Sequence, residues 1–186
     1  DQPIGFRVYL SSPRHSDSGS RGECGNGYEE NINGRKWNWL AANGSYHGGP
    51  TSQFRNLHGR GYTVMVSQNT RDGGYLDNRE QSRNWGARIH IITHSNAFQG
   101  CPSSANYLLT MYNESNDQAL AGRLAKAVGP VTPGGVNQSR RTDLAELTTG
   151  ARRGDAYVEL AFHDHRKAQR WMHDRMQRGS YTYGVA

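Results

Sequence analysis

Four ionisable side chains, His15, Glu29, His94 and Glu159, fall where an alternating strand–helix chain would collect them. Two histidines and a glutamate form a common catalytic zinc set. Imidazole nitrogen and carboxylate oxygen both suit zinc at about 2.0–2.2 Å and leave one position open for water. A further carboxylate can then act as general base toward that water. His15, Glu29 and His94 could be the three ligands and Glu159 the base. Each has a plainer reading as well. His15 could be a solvated loop residue, His94 a hydrogen-bonded core histidine, and Glu29 a first-turn carboxylate facing the helix dipole. Glu159 is the hardest to set aside, because a lone carboxylate in an apolar strand is costly unless paired or functional. The other histidines read as ordinary polar groups. His47 and His58 fall in a loop that could touch substrate, His90 alternates with buried strand positions, and one of His163 and His165 could line a cleft.

The elements that must position these residues follow from hydrophobic periodicity. Ile4–Leu10, Tyr62–Ser67, Arg88–Thr93, Tyr107–Tyr112 and Ala156–Phe162 read as strands. Tyr28–Ala42 and Leu76–Trp85 read as helices. So does the segment through Val128, capped by Ser115, and so does a final helix capped by Asp164 with Ala168, Trp171, Met172 and Met176 on one face. Ser11–Gly27 and Asn43–Gly61 read as loops, and Pro130–Asp143 as irregular. Strands alternating with helices predict an α/β fold. Its central sheet should be mixed and largely parallel, with helices on both faces, all within one domain over residues 1–186. Ligands bind such sheets beyond the carboxyl ends of the strands. His15 lies just after the first strand and His94 ends the Arg88 strand, while Glu159 lies inside the Ala156 strand.

Composition narrows the class. The 186 residues carry 22 Lys and Arg against 16 Asp and Glu, a net charge of +6. No apolar run approaches the roughly 18 residues of a membrane span. Basic residues are scattered without the run that marks a nucleic-acid arm, so no nucleic-acid partner is expected. The excess of positive charge fits an anionic polymer. Cys24 and Cys101 lack metal-site spacing and allow a disulfide in an exported protein.

Five segments, in order, carry a resemblance. They are Ser12-Pro13-Arg14-His15-Ser16-Asp17; Gly27-Tyr28-Glu29-Glu30-Asn31; Leu76-Asp77-Asn78-Arg79; Ile92-Thr93-His94-Ser95-Asn96-Ala97; and Val158-Glu159-Leu160-Ala161-Phe162. Together they resemble the zinc-dependent N-acetylmuramoyl-L-alanine amidases of the cell-division and phage-endolysin type. That family has a Pro-Gly-His loop, a Glu that opens a helix and an upstream Arg. A Ser-Ile-His-Ala-Asn strand end and a late Val-Glu-x-Gly-Phe strand complete its pattern. The resemblance runs from about Ile4 to about Met176. It implies His15, Glu29 and His94 as zinc ligands, Glu159 as the catalytic glutamate, and a structural or orienting role for Arg79. This chain departs from the family pattern in its first metal loop, at Glu30-Asn31, and at Ala161 in place of glycine. It also has a long Asn43–Gly61 loop.

The resemblance further implies a peptidoglycan hydrolase that acts at the cell wall as a secreted or phage-delivered monomer. On that fold the loops bearing Cys24 and Cys101 are neighbours, so a Cys24–Cys101 bridge would brace the site. A related zinc peptidase and a non-catalytic wall-binding module of the same fold are the competing readings.

Overall fold

The computed structural model describes residues 5–11, 57–67, 74–98 and 102–177. His15, Glu29, His47, Cys24 and Cys101, and the helix expected over Tyr28–Ala42, lie outside them. Among the described residues the chain forms β1 (Arg7–Ser11), β2 (Thr63–Val66), helix α1 (Gly74–Trp85), β3 (Ile89–Asn96) and β4 (Tyr107–Tyr112). Helix α2 (Ser115–Val128), β5 (Gly135–Arg140), β6 (Asp155–Phe162) and helix α3 (Arg166–Gln177) complete the order. The six strands make one sheet in the order β2-β1-β3-β6-β4-β5. β2, β1, β3 and β6 are mutually parallel, while β4 runs antiparallel to β6 and carries β5 parallel to itself. The sheet is therefore mixed and largely parallel, as the alternation of elements predicts.

Strand alternation divides the core into two layers. Val8, Leu10, Ile91, Leu108, Ala156, Val158 and Leu160 point to one face. There they meet Leu120, Ala121, Leu124 and Val128 of α2, and Ala168 and Met172 of α3. The helical spacing of these residues sets one apolar stripe of each helix on the sheet, each large side chain contributing roughly 1.5–3 kcal/mol on burial. The opposite face carries Ile92, Met111 and Tyr157 packed with Leu147, and here α1 covers β1. Asn78 of α1 donates to Ser11 Oγ at 3.1 Å, and Tyr9 donates to Gln81 Oε1 at 2.6 Å. Among the described residues no helix is long and apolar enough to cross a membrane.

Three details differ from the sequence reading. The segment taken as irregular contains β5. Its side chains are almost all exposed, so it is held by main-chain pairing to β4 and shows no hydrophobic period. The residue preceding α2 is Glu114 rather than Ser115, and its N–H donates to Asp117 at 3.1 Å. At α3 the cap is His165, whose Nδ1 accepts the Ala168 N–H at 3.3 Å. The Asp164 carboxylate accepts the Phe98 N–H at 2.7 Å.

The start of the β4–β5 ladder depends on a close approach. Asn106 donates to the Pro133 carbonyl at 3.2 Å, and its own carbonyl accepts the Gly135 N–H at 3.1 Å. A Cβ on Gly134 would overlap the Asn106 carbonyl, whereas a Cβ on Gly150 meets nothing within 4 Å, at a φ of +74°. Gly134→Ala is expected to cost about 2–3 kcal/mol by overpacking against main chain. Gly150→Ala should cost about 1 kcal/mol by conformation alone. Urea denaturation of both variants checks this, and equal losses would contradict the packing argument.

Candidate active site

β3 and β6 pair in parallel with Thr93 opposite Val158 and His94 opposite Glu159. Residues opposite one another on neighbouring strands share a face, and the strands lie about 4.8 Å apart. His94 and Glu159 are thereby set side by side on the α1 face, toward the carboxyl ends of both strands. The register shifts between His94 and Asn96, so the ladder is interrupted just past the pair. Every residue of β6 is buried except Glu159, which is half-buried. Asp155, on the same face at the start of the strand, is buried, whereas Glu159 reaches solvent, which relieves the cost of placing its charge in an apolar strand.

His94 is 4% exposed, and its ring lies 5.9 Å from that of Tyr157. Its Nδ1 lies 2.7 Å from the Ser95 carbonyl oxygen. A carbonyl only accepts, so Nδ1 donates to it, and in the neutral ring Nε2 is the nitrogen that carries the lone pair. Histidines that bind metals are oriented in this way, one nitrogen donating to a carbonyl and the other left as ligand. Among the described residues no three His, Cys, Asp or Glu side chains converge on one point. Of the expected ligands only His94 is described.

Arg141 borders this face and was not anticipated from the sequence. It follows β5, and its Nη1 lies 4.0 Å from Met111 Sδ. A two-point fork to Asp143 holds it, Nε to Oδ1 at 2.8 Å and Nη2 to Oδ2 at 2.7 Å. Its pKa is raised, chiefly by that hydrogen bond, with smaller contributions from the charges of Asp143, Glu159 and Tyr157. Arg141 therefore brings a fixed positive charge into electrostatic range of Glu159. Arg79 donates to Thr148 at 3.5 Å and to Glu80 at 3.2 Å. It ties α1 to the 3-10 turn at Ala145–Thr148.

Four residues before His94, on the same face, His90 anchors a buried polar network. Glu146 accepts from its Nε2 at 3.1 Å, and Ser82 Oγ lies 2.8 Å from Nδ1. Tyr9 stacks on its ring at 5.0 Å. Burial, with the charge of Glu146, pushes the Tyr9 hydroxyl above its usual pKa. Asp155 accepts from the Thr149 N–H at 2.9 Å and from the Thr149 hydroxyl. Burial raises its pKa, and the Thr149 bonds oppose that shift. Strand alternation shows only that His90 is buried; Glu146 lies in a segment without period, so the pairing has no sequence signal. His163 is fully buried, with Nδ1 3.1 Å from Ser95 Oγ, and His165 serves as the α3 cap. His58 is exposed in the helical turn before β2. A cavity of about 290 Å³ lined by Asp117, Thr148, Arg152 and Asp155 opens at the other end of β6, away from Glu159.

The mixed sheet, its helical layers and the paired His94 and Glu159 invite comparison with known proteins. No protein family matches the sequence, and no curated protein does so significantly. In shape the chain has the fold of N-acetylmuramoyl-L-alanine amidase catalytic domains. It is similar to the catalytic domain of CwlV from Bacillus (Paenibacillus) polymyxa var. colistinus, with a TM-score of 0.66 and 16% identity over 94% of this chain and 93% of that one. Ami1 from Mycobacterium smegmatis gives a TM-score of 0.69 and 14% identity over 99% of this chain and 95% of that one. The catalytic domain of CD27L, an endolysin targeting Clostridia difficile, gives 0.62 and 14% over 97% and 92%.

The fork from Arg141 lowers the Asp143 carboxyl to about 2. Because the folded value lies below the unfolded one, the pair stabilises the fold above about pH 4 and loses that contribution as pH falls through about 2. An NMR titration of the Asp143 side chain should give a midpoint near 2 and move toward about 4 in Arg141→Ala. An unmoved midpoint would place the cause elsewhere.

Proposed function

We infer that this chain is a zinc-dependent N-acetylmuramoyl-L-alanine amidase that hydrolyses peptidoglycan at the bond between muramic acid and the stem peptide. One observation carries the reading. His94 is oriented with Nε2 as its lone-pair nitrogen, and it lies in register beside the half-buried carboxylate of Glu159. The amidase fold supports it. His15, Glu29 and His94 would hold the metal, and the His94 tautomer fits that role. Zinc, when bound, supplies a Lewis acid that acidifies water and polarises the amide carbonyl.

The chain's own groups perform the proton chemistry. The Glu159 carboxylate takes a proton from the attacking water as its oxygen bonds to the lactyl carbonyl carbon. As the carbon–nitrogen bond breaks, Glu159 returns that proton to the departing nitrogen, which leaves as the free amine of L-alanine. The carboxylate is regenerated, and atoms and charge balance. Tyr157 flanks His94, its ring 5.9 Å away, and the Ser95 carbonyl orients the His94 ring. Such an enzyme would act outside the cell, at the wall, as a monomer.

Purified peptidoglycan tests the reading. Free L-alanine N-termini should appear by mass analysis, without new reducing sugar ends, and a chelator should stop them. Glu159→Gln should retain the fold and lower kcat roughly a thousandfold. Near-normal turnover by Glu159→Gln would overturn the assignment of the base, and new reducing ends would overturn the assignment of the bond.

A further inference from the structure

We propose that Phe98 is a stacking platform for a sugar of the glycan strand flanking the muramoyl residue that is cut, an inference that rests on the amidase reading above. Phe98 is 57% exposed, more than Leu76, Val131 or Val136, the other exposed large apolar side chains among the described residues. Phe6 and Phe162, by contrast, are buried in the core. An isolated exposed phenyl is common on protein surfaces. Two observations set this one apart.

The first is place. Phe98 lies four residues beyond His94 and two beyond the end of β3, at the carboxyl edge where a parallel sheet receives its ligand.

The second is fixation. The Phe98 N–H donates to Asp164 Oδ2 at 2.7 Å, and Asp164 is fully buried. The Asp164 carbonyl accepts the Ser103 N–H at 2.8 Å, and the Asn96 carbonyl accepts the His163 N–H at 2.8 Å. The Ala97 N–H donates to Asn96 Oδ1 at 2.8 Å. The chain leaving β3 is thus clamped to the turn leaving β6, the strand that carries Glu159. A buried carboxylate is costly, and this one is committed to the main-chain N–H of the residue that carries the exposed ring.

A phenyl face offers no hydrogen bond. It carries partial negative charge and attracts the polarised C–H face of a pyranose ring. Peptidoglycan presents such faces along its glycan and few along its stem peptide. A ring whose main chain is held at the carboxyl edge of the strand that carries His94 therefore selects the polymer over a small muramoyl peptide.

The test compares KM on peptidoglycan with KM on muramoyl tripeptide for wild type, Phe98→Ala and Phe98→Trp, with chitotetraose binding followed by NMR. The ratio of the first KM to the second should rise about tenfold in Phe98→Ala and return to within about twofold of wild type in Phe98→Trp. Chitotetraose should shift the resonances of residues 96–98 in wild type and lose affinity in Phe98→Ala. An unchanged ratio with unchanged chitotetraose binding would overturn the platform while leaving the amidase reading intact. If wild type released no L-alanine termini, the amidase reading would fail, and the chitotetraose arm would still decide whether Phe98 binds sugar.

Discussion

The parallel pairing of β3 with β6, in the register that sets His94 opposite Glu159, is the constraint on which the site depends. A slip of one residue would send Glu159 to the opposite face, into the apolar layer made with α2 and α3. Two sources hold the register. On that opposite face Ile91, Ala156, Val158 and Leu160 are buried together, so only one alternation is satisfied. At the start of β6 the Asp155 N–H donates to Asp117 Oδ1 at 3.1 Å, and the Asp155 side chain is held by Thr149. The first residue of the strand is therefore fixed by the helix and turn that flank it.

The network around His90 extends this control beneath the site. His90, Glu146 and Ser82 are all buried, and they connect β3, the 3-10 turn and α1. Replacing this group by apolar side chains of similar volume is often tolerated in proteins, but removing one partner commonly costs about 3–5 kcal/mol. Its contribution here is placement. Arg79 and Arg83 reach the same turn from α1, the latter donating to the Thr148 carbonyl at 2.8 Å. Two side chains of α1 thus hold the turn, and a third, Ser82, holds His90 of the strand that carries His94.

Much of this architecture is legible in the sequence. Runs such as Tyr107–Tyr112 and Ala156–Phe162 are mostly apolar, and they form strands at or within one residue of the expected bounds. His94 and Glu159 are legible because each breaks an apolar strand, and motif order then links them across 65 positions of chain. β5 is not legible, because an exposed edge strand needs no hydrophobic period. Arg141 and Glu146 are not legible either, since each acts through a contact between distant segments without period. The change of cap from Asp164 to His165 has a similar origin. A short acidic side chain before a helix suits either the helix N–H groups or another main chain brought near by the fold, and here the Phe98 N–H takes it.

The central claim is that His94 serves as a zinc ligand and Glu159 as a base that does not hold the metal. Zinc stoichiometry, measured by elemental analysis on purified wild type, His94→Ala and Glu159→Gln, tests it most directly. The account predicts one zinc per chain in wild type and in Glu159→Gln, with loss of zinc in His94→Ala while the fold, followed by circular dichroism, is retained. Full zinc occupancy in a folded His94→Ala protein would contradict it.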